Sequence, residues 1–422
     1  MMSSPSSGGV GQAGGGLPLR RLLKGMLLPL LDRVGLSRAQ LDRRLAVRRI
    51  DKEVAARVHA VHFPVAEADR ALQTARDRVV AFVKRHQVGE FSYLYALSTT
   101  RPTLYSSVYA CLTLSLISKL EEPTVDRKRW AAYFDSFQSA EDGLFYDPVV
   151  HNGLYGDTDW WGARHLALHM ISAYTDLGAK PRYPFSFLEP YCDLKRLRAW
   201  LDRSDWDASF AHEDDVDNKI MNIGSLLQYQ RDTWGDGRAE EAVRYLQHYL
   251  KERVNPETGM WGRWETDDPV QRSRMVQFAY HLYPLFFYDS QSVEHPGAIV
   301  DQVLKTQSPL GGFGVPANSS ACEDIDSIYI LCRLAPVLPE RRAEIDEALG
   351  RALKWVICNQ VEDDGFVFRL CETMTYGHQE MSSGVNQGAM FPTWFRTLSL
   401  AYLARHFSCG GFHITPAPGL EN

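Results

Sequence analysis

Two kinds of apolar segment alternate along the chain. The first is amphipathic, with its apolar positions on a single helical face, and recurs near 68–86, 127–138, 192–202, 240–254, 296–307 and 341–360. The second opens on a polar cluster and then becomes apolar on nearly every face. Tyr105-Ser106-Ser107 leads into Val108 and Tyr109, Asp157-Thr158-Asp159 into His165 and Leu166, and Asp214-Asp215-Val216-Asp217-Asn218 into Ile220. Gln271-Arg272-Ser273-Arg274 leads into Val276, Asp324-Ile325-Asp326-Ser327 into Ile328, and Asn386-Gln387 into Met390. A helix that is apolar all round is buried, whereas an amphipathic one keeps a face in water. Six of each in strict alternation predict an all-α fold of six helical hairpins, with an inner ring of six helices inside an outer ring of six.

The spacing supports a repeated unit. The polar starts fall near 105, 159, 217, 272, 326 and 386. Behind the outer segments a short motif recurs: Gln138 to Gly143-Leu144-Phe145, Gln307 to Gly312-Phe313, and Gln360 to Gly365-Phe366. Gly259-Met260-Trp261 is a weaker copy that lacks the Gln. Gly259, Gly312 and Gly365 stand 53 residues apart, and a fixed period of this length marks one supersecondary unit used repeatedly. Each Gly is expected to take the left-handed conformation that ends its outer helix, with the aromatic wedged against the next inner one.

Certain of these residues carry a family resemblance. Arg351-Ala352-Leu353-Lys354-Trp355-Val356-Ile357-Cys358-Asn359-Gln360, continuing to Gly365-Phe366, resembles the Gln-Trp repeat of squalene and oxidosqualene cyclases, with Phe in place of the final Trp. Gln307 to Gly314 is similar to the repeat of protein prenyltransferase β subunits. The resemblance spans about residues 66 to 405 and implies the α/α toroid, or (α/α)6 barrel, of terpenoid cyclases and prenyltransferases. The same ring serves cyclases, prenyltransferases and non-enzymatic modules, so it speaks to the fold more than to the reaction.

The ends of the chain read differently. Residues 1–16 are Ser/Gly-rich and expected to be a disordered tail, 17–65 a helical extension, 66–408 the toroid, and 409–422 a C-terminal tail. Within the extension, 17–31 is a short apolar stretch with Arg20, Arg21 and Lys24 at one end. It reads as a helix packed on the protein's own flank, with peripheral membrane contact the alternative.

Composition narrows the partners. A net charge of −6 over 422 residues leaves no Lys/Arg excess to neutralise phosphates, which argues against nucleic acid and for a small-molecule substrate. Seven scattered cysteines, without a Cys-x-x-Cys pair, fit a reducing compartment, and neither a secretory signal nor a membrane-spanning stretch is evident. The expectation is a cytoplasmic protein.

If all six inner helices start at one rim, their polar clusters converge on one mouth. Asp324-Ile325-Asp326-Ser327 resembles the acidic motif of class II terpene cyclases, whose middle Asp protonates an alkene or epoxide. That resemblance implies Asp326 as general acid and Asp324 as its hydrogen-bonding partner, with a raised pKa for the acid. The plain alternative is that these acids cap their helix. Prenyltransferases hold zinc with an Asp and a Cys two residues later, and here the later position is Asp326, so no metal is expected. No cofactor is expected either, with Mg2+ entering only alongside a diphosphate substrate. The rim also offers Asp157, Asp159, Trp160, Trp161, His165, Asp214, Asp217, Asn218, Arg274, His378, Asn386, Trp394 and Arg396 as substrate-binding residues. Asn222, His281 and Glu380 stand near them, while His165 and His169 together read as core histidines more than as ligands. Carboxylates interleaved with tryptophans equally suit a glycan hydrolase or lyase, and a ring that only binds a partner is the third reading. An aromatic pocket favours isoprenoids, an open polar cleft favours glycans, and a filled centre favours a scaffold.

Overall fold

The computed structural model describes residues 38–61, 67–204, 206 and 215–419, without the side chains of 38–44 and 46. The expected tail over 1–16 and the basic-apolar stretch over 17–31 lie outside the described residues. By its internal contacts the chain divides into Met1–Glu53 and Val54–Asn422. Helix α1, Arg38–Ala60, carries the division. Among the described residues, no helix is long and apolar enough to cross a membrane.

The second unit alternates outer and inner helices in the predicted order. The outer helices are α2 (Ala68–His86), α4 (Arg127–Asp135), α7 (Leu194–Arg203, after the short α6, Glu189–Cys192), α9 (Gly237–Lys251), α12 (Pro296–Leu304) and α14 (Arg342–Cys358). The inner ones are α3 (Leu104–Leu116), α5 (His165–Leu177), α8 (Val216–Trp234), α10 (Pro269–Leu282, continued by α11, Pro284–Phe287), α13 (Ala321–Leu334) and α15 (Met390–His406). Inner helices pack in a closed cycle: α3 on α5, α5 on α8, α8 on α10, α10 on α13, α13 on α15, and α15 back on α3. The fold is therefore the (α/α)6 toroid. The burial follows the sequence pattern, since every residue of α15 from Met390 to Ala404 is buried while α2 buries one stripe, including Leu72, Val79, Phe82 and Val83.

The recurring Gln stitches the outer layer together. Gln138 Nε2 donates to Gly143 O in its own turn and to Tyr183 O of the next segment, and Gln307 Nε2 does the same with Gly311 O and Ala348 O of α14. Gln360 Nε2 donates to Asp364 O and, at 3.0 Å, to Ala75 O of α2. That last bond joins the final outer helix to the first and seals the ring. The motif glycines act differently from expectation. Outer helices α4, α12 and α14 end at Asp135, Leu304 and Cys358, before the motif Gln in each case, so the glycines close a following turn and do not end the helix. Gly143 and Gly259 do adopt positive φ, but at the other two copies Gly311 and Asp364 take it. Gly312 and Gly365 are required by close approach, because a Cβ would run into Trp355 at the first and Phe82 at the second.

Gln360→Ala removes the bond to α2 and the bond within its own turn, so it should lower unfolding free energy by about 1–3 kcal/mol in a urea titration. Val254 occupies the corresponding position of the Gln-less repeat. Val254→Ala should cost much less.

Candidate functional site

The N-terminal halves of α5, α8, α13 and α15, the later part of α10 and adjoining loops surround a half-open cavity of about 390 Å3. That is an ordinary size for a small-molecule site. Tyr155, Trp161, Tyr280, Phe368, Tyr376, Phe391 and Phe395 form much of its wall, with Leu168, Met221 and Met374. The charged lining consists of Asp215, Arg274, Glu323, Asp326 and Arg369, alongside the imidazoles of His165, His169 and His281. A second cavity, about 800 Å3, lies where α13 and α15 end, and holds none of the residues singled out from sequence.

Helix α13 supplies the chemistry. Ser320 and Glu323 cap it reciprocally in a capping box, so neither Asp324 nor Asp326 is needed as a cap. Being two residues apart on a helix, the two aspartates point about 200° apart and do not face each other. The expected hydrogen bond between them is absent, and they do separate jobs. Asp324 is fully buried behind the wall. It accepts hydrogen bonds from Phe313 N, Ser319 Oγ and Trp355 Nε1 and forms a 2.8 Å ion pair with Arg396, itself fully buried. Arg396 also donates to Val367 O and Phe368 O. Both residues belong to the frame.

Asp326 is 2% exposed and lines the cavity. Burial, followed by the nearby charge of Glu323, pushes its carboxyl well above the ordinary carboxylate range, and the Arg274 guanidinium only partly opposes this. Such a shift favours the protonated acid over its carboxylate. Asp217 behaves in the opposite way. It too is fully buried, yet hydrogen bonds and charge from His281 and Arg274 outweigh the burial and hold it well below the usual range. Arg274 grips it with two bonds of 2.8 and 2.9 Å, and His281 Nδ1 approaches to 2.8 Å. Asp217 thus stands behind the wall and fixes two cationic or polar groups that do line it.

His165 also lines the cavity, as a neutral imidazole whose pKa burial pushes down to about 3. Tyr105 Oη lies 3.1 Å from Nδ1 and Tyr376 Oη 3.2 Å from Nε2, so both ring nitrogens are occupied. Trp161 and Asn218 are on the lining, Trp161 donating to Asp215 at 2.8 Å. The remaining expected residues are elsewhere. Asp157 accepts from Asp159 N and Trp160 N within its own turn, Asp159 pairs with Arg164, and Trp160 stacks on Trp200. Trp394 is fully buried against Tyr109. His378 accepts from Glu380 N, and Asn386 accepts from Cys371 N, so both shape a loop. Asn222 lies away from this wall and donates to Arg164 O. Asp214 lies outside the described residues.

That loop roofs the mouth. A two-residue hairpin, β1 (Met374–Thr375) with β2 (Ser382–Ser383), lies between α14 and α15 and delivers Tyr376 onto Phe391, ring centroids 4.4 Å apart. Tyr155 N donates to Gly377 O, and the Glu380 carboxylate accepts from Thr100 N and Arg101 N. Sequence reading missed this roof because nothing about it is periodic. It also missed Glu323, Arg369, Phe391 and Phe395, although Phe391 and Phe395 share a helical face at the spacing of four that a lining stripe requires.

No protein-family model matches the chain, and no curated protein matches it significantly in sequence. Solved structures with a similar chain course include a variant of the type II terpene cyclase MstE from Scytonema bound to geranylgeranyl dihydroxybenzoate. It has 13% identity and a TM-score of 0.47, over 81% of this chain and 99% of that one. A polysaccharide lyase has 11% identity and a TM-score of 0.44, over 81% and 98%. A family 88 glycosyl hydrolase from Bacteroides vulgatus has 11% identity and a TM-score of 0.46, over 79% and 99%. Likenesses at this level assign neither a residue role nor a substrate to this chain.

Two variants separate the aspartates. Arg396→Met strands the Asp324 charge in the interior and should cost about 3–5 kcal/mol in chemical unfolding. Asp326→Asn should stabilise. Between the unfolded carboxyl's pKa and the raised native one, native Asp326 keeps a proton that the unfolded chain has lost, so wild-type stability falls as pH rises through that window. The variant's advantage should be absent below about pH 3 and reach at least about 1 kcal/mol by pH 7.

Proposed function

We propose that the chain is an isoprenoid cyclase that starts its reaction by protonation, with Asp326 as the acid. The carrying observation is a buried carboxyl, its pKa raised by that burial, that faces a cavity with aromatic rings forming much of its wall. An alkene or epoxide is a weak base, and its protonation needs an acid whose conjugate base is poorly solvated. Asp326 in this wall meets that need. The proton adds to the terminal alkene carbon, with the π bond supplying the electrons, or to the epoxide oxygen, where a lone pair forms the O–H bond and the C–O bond breaks with its electrons passing to oxygen. The resulting carbocation is attacked by the next double bond of the folded chain, and the faces of Trp161, Tyr376, Phe391 and Phe395 offer it quadrupole stabilisation. Loss of a proton from the final cation restores neutrality, and solvent reprotonates Asp326. Arg274, fixed by Asp217, is the group placed to hold a polar or anionic end of the substrate.

A glycosidase needs a second working carboxyl opposite the acid. Among the described residues the lining carries two other carboxyls, and both are engaged, Asp215 with Trp161 Nε1 and Glu323 with Ser320 N and Arg369. This favours a single-acid mechanism.

The test is turnover of linear polyprenyl compounds and their terminal epoxides, with oligosaccharides in parallel, by wild type and Asp326→Asn. Cyclised product from the wild type, reduced about 10²–10⁴-fold in a variant that stays folded, is the expected result. Unchanged turnover in the variant, or cleavage of oligosaccharides alone, would overturn the assignment.

A further inference from the structure

The end of the described chain runs back into the ring. After α15, Cys409 N donates to Ala404 O and Gly410 N to Asp69 Oδ1, and His413 N then donates at 2.8 Å to Leu116 O, the last residue of α3. Leu116 lies at the end of the ring opposite the cavity mouth. From there the chain passes inward, because Ala417, Pro418 and Gly419 are all buried, Ala417 completely. Its furthest described point is fixed by Gly419. A Cβ built there would lie 2.8 Å from Ser225 Cβ and 3.1 Å from Leu168 Cδ1.

Those two neighbours show where the segment ends up. Leu168 is part of the cavity wall. Ser225 is four residues beyond Met221 and seven beyond Asn218, both on the wall, so it continues their stripe one turn deeper into the lumen. Gly419 lies six residues beyond His413, enough for about 20 Å of extended chain, which matches the length of a thirteen-residue inner helix such as α3. Gly419 has φ +78° and no room for a side chain, as expected where a chain is threaded between packed helices.

We propose that residues 411–419 form the floor of the cavity and set the length of apolar chain it accepts. Without this segment the lumen would continue past Leu168 and Ser225 toward the opposite end. The inference rests on the cyclase reading for the nature of the ligand, an apolar linear chain, but its test does not depend on turnover.

The experiment is equilibrium binding of saturated linear alcohols of increasing length, scored by displacement of an apolar fluorescent probe. It compares the full chain, a chain truncated after Gly410, and the full-length variant Ala417→Glu, whose charge cannot stay in the buried position. Expected is a binding optimum in the full chain that moves at least about fourfold in relative affinity toward longer alcohols in both altered proteins. Adding a synthetic peptide of residues 411–419 to the truncated chain should move it back. An unchanged length preference in a folded truncated or Ala417→Glu protein overturns the proposal. Loss of folding in both also overturns it, by making the segment a staple of the ring. A shift in binding length accompanied by undiminished turnover in Asp326→Asn would leave the floor in place and remove only the acid assignment.

Discussion

The Asp324–Arg396 ion pair is the interaction on which the rest of the site depends. Both groups are removed from water, and an unpaired charge there would be strongly destabilising. The pair is tolerated because it is fully satisfied: Asp324 accepts from Phe313 N, Ser319 Oγ and Trp355 Nε1, while Arg396 donates to the carbonyls of Val367 and Phe368. These bonds join inner helices α13 and α15, outer helix α14 and two Gly-Phe turns at one point. The wall carrying Phe368, Phe391 and Asp326 is built outward from it.

The same helix then presents a second carboxyl to the opposite side. Asp324 and Asp326 are chemically identical and two residues apart, yet one has four partners and the other, among the described residues, has no hydrogen bond. The helical turn between them is sufficient to divide structure from chemistry. A frame carboxylate that is neutralised by its own arginine adds little charge to the cavity, so the proton on Asp326 is governed mainly by burial and by Glu323. Asp217 provides the contrast: equally buried, it is held ionised by Arg274 and His281. Two buried carboxyls on one rim with oppositely shifted pKa values constitute the arrangement from which acid chemistry is made.

Much of this was legible in the residues. Periodicity and the 53-residue spacing gave the alternation, the hairpin count and the closure, because burial on all faces is written directly into composition. Asp326, Trp161, His165, Asn218 and Arg274 were identified as rim residues and do line the cavity. Direction was much harder to read. A polar cluster at a helix start does not say which member turns inward, so Asp324, Asp217, Trp394 and Arg396 were grouped with the lining although each is packed behind it. Asp157, His378 and Asn386 have short-range roles that any turn could have given them. The bridging role of Gln360 was also out of reach, since its partner Ala75 lies 285 residues away.

The ring itself explains why both ends need covering. An acid whose pKa is raised by burial would lose that shift if water reached it from either side. Above Asp326 the hairpin around Tyr376 is tied down by Gly377 and Glu380. Below, Leu168 and Ser225 meet the chain at Gly419. Neither element belongs to the repeating hairpins, and each comes from a stretch without periodicity. The repeated architecture therefore supplies the wall, the irregular hairpin covers it from above, and the proposed floor at the end of the described chain would close it from below.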